Sequence, residues 1–161
     1  MKNIRKERGQ SLVELSISIL ILLLLLVGAV EFGMAFFQFV QLRDAAQEGA
    51  LYGSLHPYVD GDSDAKFDAG EPVNLAGIET RVRASSNSPV DLTVTSGSKA
   101  VTVTAVSSDG TNLFCEGHGL TVTVSFNHEV FMPFMTQIIG NTIPLNATVT
   151  DTILTPKCPS P

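Results

Sequence analysis

The most regular arrangement of potential metal ligands in this 161-residue chain is an acidic stretch of 12 residues that begins at Asp60. Numbered from Asp60, acidic residues occupy positions 1, 3, 5, 9 and 12, the side-chain ligand positions of an EF-hand calcium loop. The predicted ligands are the side chains of Asp60, Asp62, Asp64 and Asp68, the backbone carbonyl of Lys66 and both carboxylate oxygens of Glu71. Calcium binds six to eight oxygen ligands, and closely spaced carboxylates on a turning loop supply them. The pattern therefore predicts calcium as a cofactor.

One position departs from that pattern. Ala65 stands where an EF-hand loop has a glycine for its sharp turn, which predicts weak binding. The alternative interpretation is a solvated acidic insertion between two helices, since acidic runs are commonly solvated surface. Both interpretations stay open at this stage.

Two further groups of residues suggest metal or redox chemistry. Cys115 and His118 have the spacing of a ligand pair, and His128 follows, but a structural zinc site needs four ligands. We therefore expect surface histidines and a disulfide between Cys115 and Cys158, because an even cysteine count in an oxidising compartment permits one. The chain has no Gly-x-Ser-x-Gly elbow, phosphate-binding loop or His-Glu-x-x-His pair, so we predict no enzyme and no small-molecule substrate.

The element that positions the rest is the apolar stretch Leu12–Val30. It is close to the roughly 20 helical residues that cross a bilayer core. A basic leader ending at Gly9 precedes it, and Glu14 lies five residues after that glycine. A carboxylate in lipid is costly, so Glu14 is either a functional residue or a partly hydrated one near the headgroups.

The same N-terminus also has the parts of a cleaved secretory signal. The small residues Val27, Gly28 and Ala29 would form its cleavage site. A membrane anchor is favoured, because the apolar run is longer than a usual signal core and the helical pattern continues beyond it.

An amphipathic helix is predicted to continue from Phe32 to Tyr52. Its apolar residues at helical spacing are Phe32, Ala35, Phe36, Phe39, Leu42, Ala46 and Ala50. The opposite face is filled by Gln38, Gln41, Arg43, Asp44, Gln47 and Glu48. The combined helix from Leu12 to Leu51 would be about 60 Å long, twice the bilayer core, so half of it projects from the membrane. We expect Phe32, Phe36 and Phe39 to pack on the outer domain and Glu31 to mark the outer interface.

The charges predict orientation. Residues 1–8 contain four basic residues and one acidic residue, whereas residues 9–161 contain six basic and 15 acidic residues. Positive flanks stay in the cytoplasm, so the C-terminal domain is expected outside it on a single-pass protein. The acidic remainder has no basic patch of the kind that binds nucleic acid.

The C-terminal part is predicted to be an α+β domain. A helix is expected from Asn74 to Ser85, with Asn74 as its cap. Period-two patterns predict an antiparallel sheet of about four strands near residues 90–95, 101–105, 120–126 and 143–154, with helices on one face. Residues 130–139 form a short helix or a buried loop.

Three separated motifs resemble the TadE-like family. They are RGQSLVE at residues 8–14, EFG at 31–33 and QLRDAAQEGALY at 41–52. The family comprises pseudopilins, or minor pilins, of the bacterial tight-adherence (Flp pilus) system. The resemblance implies that a membrane-embedded prepilin peptidase cleaves after Gly9, so that Gln10 becomes the N-terminus and Glu14 the fifth residue. It also implies an acid at Glu31 and partners among other pilin subunits and pilus-assembly proteins.

Cleavage after Gly9 would place a new α-amine at Gln10, one helical turn from Glu14. An amine and a carboxylate that pair in the same or a neighbouring helix offset part of each other's desolvation. The motifs thus predict Gly9 and Gln10 as the cleavage site and Glu14 as an assembly residue.

The predicted organisation is a leader at residues 1–9, a TadE-like membrane and amphipathic helix at 10–52, and an extracytoplasmic α+β domain at 53–161. The first function hypothesis is a minor pilin or pseudopilin in the cytoplasmic membrane, incorporated into a surface pilus. The alternative is a calcium-dependent cell-surface adhesion module that uses its N-terminal helix for anchoring or export. A mature N-terminus at Gln10 favours the first, and one at Met1 or Val30 favours the second.

Overall fold

A computed structural model of the chain describes residues 4–59, 71–110 and 112–158. The elements in chain order are α1 (Ile4–Leu55), α2 (Leu75–Ser85), β1 (Thr102–Ser107), β2 (Gly119–Glu129), α3 (Pro133–Ile139) and β3 (Thr142–Thr152). A long helix followed by a small antiparallel sheet and short helices is an α+β fold, which confirms the predicted class.

The helix α1 has two halves with different surroundings. Its part Gly9–Leu55 is long and apolar enough to cross a membrane. Between Leu12 and Leu26 its large apolar side chains are about half to two-thirds exposed. Farther along, Leu42, Ala46 and Ala50 are buried against the domain. The helix ends at Leu55, because Pro57 disfavours helical backbone at the residue before it.

Small residues let the second half of α1 approach the domain closely. A Cβ atom added at Gly49 would lie 2.5 Å from Cγ2 of Val82 on α2. One added at Gly53 would overlap Cδ2 of Leu120 on β2. The absence of a side chain at these two positions therefore sets the distance between α1 and the core.

The sheet has the order β1-β2-β3, and both pairs are antiparallel. In β2 the alternation is the predicted one, with Leu120, Val122 and Val124 fully buried under the helices. On the opposite face, threonines pair across β2 and β3, with hydroxyl distances of 2.8 Å for Thr121–Thr150 and 3.0 Å for Thr123–Thr148.

The prediction of about four strands was wrong, because residues 90–95 form turns and extended backbone instead of a strand. The side chain of Gln41 takes the place of a partner strand: its Nε2 donates to the Val90 carbonyl (2.8 Å) and its Oε1 accepts from the Val90 N–H (2.7 Å). The Arg83 guanidinium donates to the carbonyls of Leu92 and Val101. Val90 and Leu92 are buried as the pattern suggested, but side chains bond the Val90 N–H and the carbonyls of both residues.

The predicted faces of α1 need two corrections. Gln41, assigned to the polar outer face, is buried on the domain side, because it holds the Val90 backbone. Phe39 packs against the core as expected. Phe32 and Phe36 do not, since they are 71% and 57% exposed and stack on each other with ring centroids 6.2 Å apart. Both rings border an open apolar cleft that Ile143 and Leu145 of β3 also line.

The second helix matches its prediction. The Asn74 side chain accepts a hydrogen bond from the Gly77 N–H (3.1 Å) and caps α2. Ile78 and Val82 are fully buried. Arg83 Nε donates to Glu79 Oε1 (2.9 Å), one helical turn away.

Candidate functional site at the junction of helix and domain

Glu31 is the first acidic residue after Glu14 along α1, and it lies where the exposed apolar half of the helix meets the domain. Its side chain is only 2% exposed. A buried carboxylate is costly unless it is paired and hydrogen-bonded. The residues around Glu31 therefore define a buried polar site at this junction.

Two groups from the end of β2 meet this carboxylate. Nε2 of His128 donates to Glu31 Oε1 (2.9 Å), and the backbone N–H of Phe131 donates to the same oxygen (3.0 Å). The other ring nitrogen of His128, Nδ1, lies 2.7 Å from Oε1 of Gln38. Glu31 and Gln38 are seven residues apart, so about two helical turns place them on one face. We call Glu31, Gln38 and His128 the junction cluster.

The contacts of the junction cluster hold the His128 ring between two side chains of α1. Its Nε2 faces the Glu31 carboxyl group and its Nδ1 faces the side-chain amide of Gln38. Within the described residues, Oε2 of Glu31 is buried without a hydrogen-bond partner. Removing either partner would leave the other's buried polar group without this hydrogen bond, so the cluster ties the end of β2 to α1.

The junction cluster corrects one expectation, because His128 was expected at the surface but is only 4% exposed. Glu31, which was expected to mark the outer interface, is enclosed by the domain at the end of the apolar half of α1. The alternation of β2 contains the missing signal, because Leu120, Val122 and Val124 lead in steps of two to the buried side of His128. That face of the strand is buried to its end, where the imidazole meets a carboxylate.

The residues predicted for processing and assembly lie in the first turns of α1. Gly9, Gln10 and Glu14 are exposed. Gln10 and Glu14 are one turn apart on the same side of the helix, as the spacing requires. No ion pair within the described residues involves Glu14, whereas nearby Ser16 donates its hydroxyl hydrogen to the Leu12 carbonyl (2.7 Å).

Most of the predicted calcium ligands lie outside the described residues, namely Asp60, Asp62, Asp64, Lys66 and Asp68. Glu71 is described and half-buried. The two ends of the acidic stretch are held together: Val59 N–H donates to the Pro72 carbonyl and Asn74 N–H to the Pro57 carbonyl, each at 3.0 Å. Residues 57–59 and 72–74, on the two sides of the acidic stretch, are therefore neighbours.

Cys115 and Cys158 form a disulfide in the structure, which is the predicted pairing. The backbone supports the same connection, since Glu116 N–H donates to the Pro156 carbonyl (2.7 Å). The nearby His118 has its Nδ1 2.7 Å from Asp109 Oδ2. Both sulfurs and a ring nitrogen of His118 lie within 4.8 Å of one another, but bonded sulfurs are not thiolate ligands, so this group does not form a zinc site.

A charged rim borders the junction cluster on the side of α1 next to Met34 and Gln38. Lys99 Nζ and Glu129 Oε2 are 3.9 Å apart there, and Asp91 lies in the same cleft. The Thr93 hydroxyl and the Thr93 backbone N–H both donate hydrogen bonds to Asp91. These bonds lower the pKa of the exposed Asp91 carboxyl, and the hydroxyl has the larger effect. This rim therefore keeps charged groups in water.

Comparison with known proteins gives one finding. A family model described as TadE-like protein matches residues 9–51, which includes Gly9, Glu14 and Glu31. No curated protein and no solved structure matches the chain. The matched segment begins at the predicted cleavage site and ends near the end of α1. The match confirms the resemblance that the N-terminal motifs indicated, and it covers residues 9–51 of the 161-residue chain.

Proposed function

We propose that this protein is a membrane-anchored minor pilin or pseudopilin that contributes to assembly of a tight-adherence pilus and catalyses no reaction. The observation that carries the proposal is the TadE-like match over residues 9–51, because it covers both the exposed apolar half of α1 and the half buried in the domain. The TadE-like family supports association with the Tad pilus, and the minor-pilin role is our extension of it.

The two halves of α1 suit such a subunit. The apolar half holds the protein in the cytoplasmic membrane before assembly, and in an assembled pilus the same side chains pack against other subunits' helices. The half that contains Leu42 and Ala46 fixes the domain to this rod. Phe32 and Phe36, exposed between the two halves, supply further apolar surface for neighbouring helices.

Processing by a prepilin peptidase is the first step of this function. A Cβ atom added at Gly9 would meet nothing within 4 Å. Gly9→Leu therefore leaves the packing of this protein unchanged, and its effect reports recognition by the peptidase. Gly33→Leu is the matched control, since Gly33 lies in the same helix with equally open space.

The test is mass spectrometry of the protein from its native membrane. We expect a mature N-terminus at Gln10, its loss in Gly9→Leu and its retention in Gly33→Leu. Intact protein starting at Met1 in cells with active pili would contradict the proposal. A start at Val30 would instead indicate signal-peptide cleavage and favour the exported adhesion module.

Glu14 provides the second test. Glu14→Ala removes a polar group from an exposed apolar helix, so membrane insertion should be retained. If an amine at Gln10 must pair with Glu14 during assembly, the variant should yield few or no pili. Ser16→Ala is the control, because the Ser16 hydroxyl bonds only to its own helix among the described contacts. Normal piliation in the Glu14→Ala strain would refute the assembly role.

We also propose that residues 60–71 bind calcium. The five acidic residues in EF-hand register support this, and so does the closure of the stretch by the Tyr58–Val73 bridge. Closing the two ends reduces the entropy that a flexible loop loses when it wraps a metal. Bound calcium would stiffen the connection between α1 and α2.

A further inference from the structure

The short helix α3 folds back along the apolar half of α1. Met135 on α3 lines an apolar cleft of about 320 Å³ together with Leu20, Leu23, Leu24 and Val27. A Cβ atom added at Gly28 would lie 3.4 Å from the terminal methyl carbon of Met135. The segment between β2 and β3 therefore extends past the junction cluster toward the N-terminus of α1, alongside the stretch predicted to cross the membrane.

The contacts of Met135 fix its depth relative to that stretch. At about 1.5 Å per residue, the 19 residues of Leu12–Val30 extend about 28 Å, which matches a bilayer core of about 30 Å. Leu20 lies ten residues and Gly28 two residues before Val30, about 15 and 3 Å along the axis. If Leu12–Val30 spans the core, Met135 lies below the core's outer boundary.

The surface of this segment has the composition that such a depth requires. Residues 130–150 contain no charged residue. Phe131 is 80% exposed, Ile138 68% and Ile139 45%. Ile138 and Ile139 are neighbours at the end of α3, and large exposed apolar side chains rimmed by polar residues mark an interaction site.

Charged groups near this segment are either enclosed or farther from the membrane. The Glu31 carboxylate is covered by His128 and the Phe131 N–H. Lys99 and Glu129 line one cleft with Phe131 and with Met34 and Gln38 of α1, which lie about two to three helical turns beyond Gly28. The boundary between uncharged and charged surface thus crosses the domain at the height where the apolar half of α1 ends.

We propose that α3 inserts into the bilayer leaflet on the domain side and forms a second membrane contact beside α1. The occupant of this apolar surface is lipid, because α3 contacts the helix that enters the same bilayer. A seven-residue helix with exposed apolar residues suits the interface between headgroups and acyl chains. The contact holds the domain at a fixed height above the membrane before assembly. This inference rests on the membrane anchoring in the proposed function.

The test uses the absence of tryptophan from the chain. Single variants Leu22→Trp, Ile138→Trp and Val106→Trp of the full chain are placed in phosphatidylcholine vesicles with or without bromine on the acyl chains, which quenches tryptophan fluorescence on contact. Leu22 reports the anchor, Ile138 reports α3, and Val106 is the aqueous control. Val106 is 55% exposed and pairs with Thr121, which lies seven residues and about 24 Å along β2 from His128.

We expect Ile138→Trp to be quenched to an extent comparable with Leu22→Trp and to emit at a shorter wavelength than Val106→Trp, which stays unquenched. Quenching of Leu22→Trp alone would overturn the α3 contact and leave the anchoring intact. Loss of quenching in both Leu22→Trp and Ile138→Trp would overturn the membrane anchoring and the α3 contact together. Short-wavelength emission of Ile138→Trp without quenching would mean that a second copy of the protein covers α3, and would also overturn the proposal.

Discussion

His128→Ala is the most informative single perturbation of the fold, because it removes the side chain that pairs with Glu31. In the variant, Glu31 Oε1 keeps only the Phe131 N–H, while Oε2 already has no hydrogen-bond partner among the described residues. Both side chains are 5% exposed or less, so water cannot replace the imidazole without opening the junction between α1 and the domain.

The size of the effect follows from that burial. Leaving a buried carboxyl group without its hydrogen-bond partner typically costs about 1–3 kcal/mol, and more when the group is charged. A small domain has a free energy of unfolding of only about 5–15 kcal/mol, so the variant should lose a large part of its stability. Replacing both residues by apolar ones, as in Glu31→Leu/His128→Leu, should cost far less, because neither buried polar group is left without its partner.

The assay is urea unfolding of the full chain in detergent, followed by near-ultraviolet circular dichroism of its two tyrosines. Tyr52 and Tyr58 pack against the core and therefore report the domain. The matched control is His118→Ala: the side chain of His118 is 26% exposed in its pair with Asp109, and exposed pairs contribute about 0–1 kcal/mol.

Two results would refute this reasoning. One is a His128→Ala variant that unfolds at the same urea concentration as His118→Ala. The other is a Glu31→Leu/His128→Leu variant whose loss of unfolding free energy equals the sum of the losses in the two single Leu variants. Coupled residues must deviate from such additivity by roughly 0.5–3 kcal/mol.

Three further predictions concern packing, the disulfide and calcium. Gly49→Ala should lower the free energy of unfolding by about 1–3 kcal/mol, because its Cβ would press on Val82. The control Gly33→Ala should leave the free energy of unfolding unchanged or raise it by up to about 1 kcal/mol. Equal urea midpoints for the two variants would contradict the close packing at Gly49. Cys158→Ser should lower the free energy of unfolding by about 2–4 kcal/mol and make thermal melting insensitive to reductant. If reductant still changed the melting of this variant, the disulfide would not be the cause of that change. Calcium at a hundredfold excess over Kd should stabilise the protein by about 2.7 kcal/mol, measured by melting and titration calorimetry, and Glu71→Gln should weaken that response. If neither calcium nor magnesium gave heat or a melting shift, residues 60–71 would be only an acidic insertion.

The local sequence was sufficient for the elements whose stability depends on nearby residues. An uninterrupted apolar run predicts α1, and Pro57 predicts its end. Asn74 predicts the start of α2, because a cap bonds only to residues of the first turn. The alternation of β2 predicts its buried face, and the motifs between Gly9 and Tyr52 predict the TadE-like match.

Tertiary structure decided the features that depend on residues distant in the chain. Gln41 lies 49 residues from Val90, yet its amide replaces the strand partner that the period-two pattern suggested. Glu31 and His128 are 97 residues apart, and their burial depends on the register that brings the end of β2 to α1. The position of α3 beside the apolar half of α1 has the same origin. A sequence pattern gives the face on which a side chain lies, whereas only the packing of whole elements determines which distant group will meet it there and satisfy its hydrogen bonds and charge.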